Sequence, residues 1–102
     1  MQGYIPRRIT CAGHGLGGGL ATLAACWAGC TLATADVRCI TFAAPRVGNA
    51  AFVAAFQNTT GVSYRVVNNA DPMPRQPKPL FYSHVGHAVW LSGSDIHYQV
   101  RL

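Results

Sequence analysis

Residues 11–25, "CAGHGLGGGLATLAA", decide how the rest of the chain is read. The six letters GHGLGG inside them have two spellings. As Gly13-x-Gly15-x-x-Gly18 they form a dinucleotide-binding loop. As Gly13-x-Gly15-x-Gly17 they form a strand-to-helix elbow with glycine where a nucleophile would stand. Both readings need a strand, a tight glycine turn and a helix. The flanks supply them. Residues 7–12 (RRITCA) are short, contain β-branched side chains and end at glycine, which predicts a strand. Leu16, Leu20, Leu23 and Trp27 recur at i, i+4, i+7 and i+11, which makes one face of a helix.

Outward from this unit the pattern repeats. Residues 37–43 (VRCITFA) predict a second buried strand, closed by Pro45. Residues 49–57 predict a second helix, with Asn49 as N-cap and Phe52 and Phe56 on its apolar side. Residues 62–67 (VSYRVV) predict a third strand. In the loop NNADPMPRQPKP, prolines 72, 74, 77 and 79 argue against regular structure. Residues 83–91 (SHVGHAVWL) alternate as a fourth strand, and a tail holding His97 follows.

Strand-helix-strand-helix-strand means an α/β fold with a parallel core, here with one further strand. Right-handed crossovers in a sheet that grows in one direction put both helices on the same face. The middle strand is apolar on both sides, Cys39 and Thr41 pointing one way and Ile40 and Phe42 the other. A parallel sheet needs cover on both faces, and this chain supplies one. The expectation is a single incomplete domain over residues 1–102, with an uncovered sheet face that binds a partner, a lipid or another copy.

Composition narrows the classes. Half of the 102 residues are hydrophobic and 11% are charged, which is no disordered tail. The net charge of +5 comes from scattered arginines without interleaved exposed aromatics, so no nucleic-acid partner is expected. Cys11, Cys26, Cys30 and Cys39 lack zinc-site spacing and are read as buried free thiols; no metal and no cofactor are expected. Residues 9–35 carry no Asp, Glu, Lys or Arg and could pose as a membrane span, or as a signal peptide ending at residues 33–35. Gly17-Gly18-Gly19, His14 and the change of period at Gly13 oppose both. Trp27 and Trp90 are read as core aromatics, His84 and His87 as strand residues, and His14 as packing or hydrogen-bonding locally.

The position of acids separates the two spellings. A dinucleotide loop needs an acid at the carboxyl end of the next strand. Asp36 stands at that strand's start, on the wrong edge of the sheet. An elbow predicts an acid and then a histidine, each after a later strand. Asp71 follows the third strand and His97 the fourth, so the order fits.

Four segments, GHGLGGGLATLAA, TFAAPRVGNAAF, YRVVNNADPMPR and FYSHVGHAVWL, occur in the order found in fungal-type triacylglycerol lipases and cover about half of the chain. The chain resembles the carboxyl-terminal half of the α/β-hydrolase domain in that class 3 lipase family. The resemblance implies a lipid or ester substrate. It puts Gly15 at the nucleophilic serine's place, Asp71 at the triad acid and His97 at the base. It makes the backbone N–H of Leu16 an oxyanion-hole donor.

This sequence departs from the family at three places. Gly15 has no hydroxyl; the tail SDIHYQ around His97 resembles the family's histidine context only loosely and follows Asp71 at a shorter spacing, and His87 stands where the family often has an acid; and the amino-terminal half with the lid and the second oxyanion donor is missing from these residues. In subtilisin, another serine hydrolase, loss of the nucleophile costs on the order of a millionfold in turnover. The expectation is therefore a hydrolase fold with little or no activity. Two plainer readings stand beside these roles: Asp71 before Pro72 as a turn residue, and His97 as a surface histidine.

Overall fold

The computed structural model describes residues 7–32, 35–68, 70–92 and 97–101. Residues 33 and 34 of the cleavage reading and residues 93–96 of the tail lie outside them. Five strands form one sheet in the order β1-β2-β3-β4-β5. They are β1 (Arg8–His14), β2 (Asp36–Phe42), β3 (Val62–Asn68), β4 (His87–Ser92) and β5 (His97–Arg101). The first four are parallel, and β5 pairs antiparallel to β4, with Ser92 opposite His97. Helix α1 (Leu16–Thr31) joins β1 to β2, and α2 (Ala50–Thr59) joins β2 to β3. The expected α/β core is present, one strand longer than the sequence pattern shows.

Small side chains let α1 lie close on the sheet. Its buried face is Gly18, Gly19, Ala21, Thr22, Ala25 and Ala28. A Cβ on Gly18 would stand 2.7 Å from the Ala44 side chain, so the helix meets the end of β2 almost backbone to backbone. The Leu16–Leu20–Leu23–Trp27 stripe points the other way, and Trp27 is 64% exposed rather than a core aromatic. The periodicity located the helix, but the face that packs on the sheet is the alanine and glycine one.

Helix α2 starts at its expected cap, where Asn49 Oδ1 accepts from the Phe52 N–H at 3.0 Å. It delivers Phe56 into a core of Ala25, Ala28, Val37, Cys39 and Val85. Burying that ring contributes about 2–3 kcal/mol.

Both helices pack against each other on one side of the sheet. On that side β2 buries Val37, Cys39 and Thr41. The opposite side carries the cross-strand rows Ala12–Ile40–Tyr64–His87 and His14–Phe42–Val66–Val89. Phe42 is 45% exposed there, and His14 is exposed instead of packed. Among the described residues no helix covers this face.

Three smaller expectations change. The proline loop does form one turn of regular structure, a 3₁₀ turn at Met73–Arg75, because proline is tolerated where a helix begins. His84 lies before β4 rather than in it. The cysteines are free, but only Cys39 is buried; Cys11 and Cys26 are half-buried and Cys30 is exposed. No helix among the described residues is long and apolar enough to cross a membrane, and none of their His, Cys, Asp and Glu form a group of three or more that could hold a metal ion.

Candidate active site

Parallel strands bring their carboxyl ends to one edge, and the loops leaving that edge are tied together by backbone bonds. Gly15 N–H donates to Phe42 O at 2.8 Å, Ala43 N–H to Val66 O at 2.9 Å, and Asp71 N–H to Asn68 O at 3.0 Å. The turn after β1, the loop after β2 and the loop after β3 thus form one connected edge. Asp36 is at the other end of β2, in ion pairs with Arg8 and Arg38 at 3.4 and 3.2 Å. An acid there cannot serve a ligand at the glycine turn, and the dinucleotide reading fails on position.

Gly15 sits between the last residue of β1 and the first of α1, with φ 59° and ψ −127°. An L side chain rarely adopts these angles, whereas glycine does so at little cost. A Cβ built on Gly15 would meet nothing within 4 Å, so the position is open to a side chain. At Gly13 the opposite holds, since a Cβ would stand 2.1 Å from the Gly17 carbonyl oxygen. The turn needs glycine at 13 for close approach and strains any other residue at 15. Leu16 opens α1, where the first N–H groups have no acceptor within the helix.

Asp71 begins the proline loop. Its Oδ1 accepts from the Met73 N–H at 2.9 Å, so the turn role is realised. The residue also lines a cavity of about 80 Å³ with Arg46, Arg65, Arg75, His84 and Trp90. The cluster holds the loop in place. Arg46 donates from its guanidinium to the carbonyls of Arg75 and Pro77, at 2.9 and 3.1 Å, and from its backbone N–H to Gln76 O at 2.7 Å. His84 Nε2 lies 2.6 Å from Pro74 O. Arg65 Nε donates to Val85 O at 2.7 Å.

The charges in this cluster are costly. Burial pulls the Arg65 guanidinium down to about 10, with the neighbouring Arg46 adding to the effect, and it stays charged at neutral pH. Burial also pulls the His84 imidazole down to about 4, aided by Arg65 and Arg46 and opposed by the bond to Pro74. His84 is therefore neutral at pH 7, and its ring N–H donates to the Pro74 carbonyl. The sequence reading missed Arg46, Arg65 and His84. The signal available was an arginine inside the otherwise uncharged run VSYRVV.

The backbone of His97 opens β5 opposite Ser92, the last residue of β4, and so reaches the same carboxyl edge as Gly15 and Asp71. Residues 2–81 match the lipase (class 3) family. The chain belongs to the class 3 lipase family.

Fungal lipases are among the relatives of this class 3 lipase chain. It is 37% identical over 90 residues to the secreted mono- and diacylglycerol lipase 1 of Fusarium solani, covering 87% of this chain and 26% of that protein. Lipase II from Rhizopus niveus has a similar structure, with a TM-score of 0.84 and 26% identity over 92% of this chain and 37% of that one. The Rhizomucor miehei lipase in its propeptide complex also gives a TM-score of 0.84, at 28% identity, over 92% of this chain and 32% of that one. The chain thus spans about a quarter of the length of the curated relative and about a third of the solved lipases. These lipases share the α/β-hydrolase fold, and the parallel strands and two helices described above are the part of it that this chain forms.

Proposed function

We propose that this chain is the carboxyl-terminal part of a lipid-ester hydrolase of the acylglycerol class, in which Gly15 holds the nucleophile's place without its hydroxyl. The observation that carries the reading is the backbone at Gly15: positive φ in a strand-to-helix turn, with clear space where a side chain would stand. In the working form of such a site a serine Oγ attacks the ester carbonyl while a histidine takes its proton. An acid orients the histidine, and backbone N–H groups hold the oxyanion. In this chain Asp71 would be the acid, His97 the base and the Leu16 N–H one oxyanion donor.

Without the hydroxyl no acyl-enzyme can form at residue 15, and an imidazole could only activate water. Catalytic impairment follows from that deletion. The deciding experiment joins residues 1–102, with Gly15→Ser, to the amino-terminal part of the Fusarium solani relative and measures hydrolysis of short acyl esters. Activity with serine and its loss with glycine support the reading. A folded hybrid with serine and no activity contradicts it.

A second reading rests on the bare side of the sheet. Rows of Ile40, Phe42, Val66 and Val89 on one uncovered face form a surface suited to a non-catalytic docking role, including self-association. Sedimentation of the 102-residue protein tests it. A monomer across the concentration range counts against self-association, and a dimer dispersed by Phe42→Glu supports it.

A further inference from the structure

The four thiols fall into two pairs that the candidate site does not use. Cys11 and Cys39 are register partners on β1 and β2. Cys39 is buried in the core and Cys11 packs against it, so a solute has no way in between them. Cys26 and Cys30 are four residues apart on α1 and therefore share one helix face. Cys26 is half-buried, Cys30 is exposed, and their thiols are in hydrogen-bond contact. The second pair is open to solution.

Spacing decides what can join the open pair. Side chains at i and i+4 of a helix hold their Cβ atoms about 5–6 Å apart. A disulfide needs about 3.5–4.5 Å, so the helix would have to distort to close one. A bridging ion fits without that distortion. Two bonds of about 2.3 Å, the zinc–thiolate length, let the sulfurs stand up to about 4.6 Å apart on either side of a metal. Rotation of the two side chains supplies that span. The platform is stiff, because α1 meets α2 beside Cys30: a Cβ on Gly29 would stand 2.7 Å from the Thr59 Cβ.

Ligand type decides which ion. Residues 16–31 contain no Asp, Glu or His, so the helix offers sulfur alone. Among the described residues no third His, Cys, Asp or Glu joins the pair to build a zinc-type site. Thiolates without oxygen or nitrogen partners select soft ions, cuprous copper above all. We propose that Cys26 and Cys30 form a two-coordinate site for a cuprous ion. Binding makes two copper–sulfur bonds and releases the two S–H protons to the buffer; no electron is transferred. The site involves nothing at residue 15, so its test is separate from that of the hydrolase reading.

The experiment is an anaerobic titration of the reduced 102-residue protein with a cuprous salt, in competition with the chelator bicinchoninate. One ion per chain is expected, with two sulfur neighbours in its X-ray absorption spectrum. Cys26→Ser and Cys30→Ser should each weaken binding by more than about a hundredfold, since even outer-shell partners of a metal are worth about 10–100-fold. Cys11→Ala should leave it unchanged. Cys30 is exposed, so circular dichroism should show Cys30→Ser folded and its loss of copper a local effect. No binding, one ion shared between two chains, full affinity in Cys30→Ser, loss of binding in a folded Cys11→Ala, or zinc held as tightly as copper would each overturn the proposal.

Discussion

The N–H of Gly15 donates to the carbonyl of Phe42 across 2.8 Å, which locks the turn after β1 onto the end of β2. The turn is therefore held by backbone, independently of which side chain stands at residue 15. Gly15→Ser should fold. Its cost is the strain of a side chain at φ 59°, about 1–3 kcal/mol, reduced by the lower entropy of the unfolded serine chain. Denaturant unfolding should show a destabilisation of about 1–2 kcal/mol with an unchanged slope.

Gly13→Ala should be worse, although Gly13, in β1, has no positive φ. The new Cβ meets the Gly17 carbonyl at 2.1 Å, and a helix backbone cannot turn aside as a flexible side chain would. A loss of about 3 kcal/mol or more is expected. If Gly13→Ala proves milder than Gly15→Ser in the same unfolding experiment, the close approach of α1 to β1 is not what fixes this turn.

Much of this architecture was legible in the sequence because local signals and tertiary demands agree. The glycine turn, the Asn49 cap and the apolar runs of β2 and β3 each point to the structure they form. Trp27 went astray because helical periodicity marks an apolar face without saying what lies against it, and here the sheet takes the smaller side chains. Strand β5 has no strand signature in the sequence, since its five residues gain their structure from pairing with β4. The cluster of Arg46, Arg65 and His84, which clamps the proline loop, is illegible in the sequence for another reason. Arg46, Arg65 and His84 lie on the loop after β2, on strand β3 and on the loop before β4, far apart in sequence, and meet only in the fold.

That clamp predicts a local failure. Arg46→Ala removes guanidinium bonds to Arg75 and Pro77, partly exposed charge-assisted bonds worth about 1–3 kcal/mol together. Limited proteolysis should then cut within residues 71–82 well before the sheet unfolds. Arg46→Lys should rescue only part of the protection, because an ammonium on a flexible stem cannot reproduce the planar fork. Unchanged cleavage in Arg46→Ala would mean that the prolines alone hold the loop.

The four thiols should react in order of exposure. Cys30 is on the surface, whereas burial raises the Cys39, Cys11 and Cys26 thiols and so reduces their thiolate fraction. Alkylation of the native protein with iodoacetamide, followed by peptide mass analysis, should label Cys30 first and Cys39 last. Cys30→Ser should remove the fast phase. Early labelling of Cys39 would show that α1 does not seal the helix side of β2.

His84 should make the fold acid-sensitive in a definite window. Its folded value is pulled down to about 4, by burial first and then by Arg65 and Arg46, while the unfolded imidazole titrates near 6.5. Between these values the unfolded chain binds a proton that the folded chain refuses, so stability rises with pH across the window. Read downward, the contribution is whole above about 6.5 and is lost as the pH falls towards 4. Protonation there would place a cation beside two guanidiniums around an 80 Å³ cavity. His84→Gln, which keeps a donor for the Pro74 carbonyl, should flatten this part of the stability profile. Chemical unfolding from pH 4 to 7 on both proteins isolates the difference. Parallel profiles would show that His84 carries no such linkage.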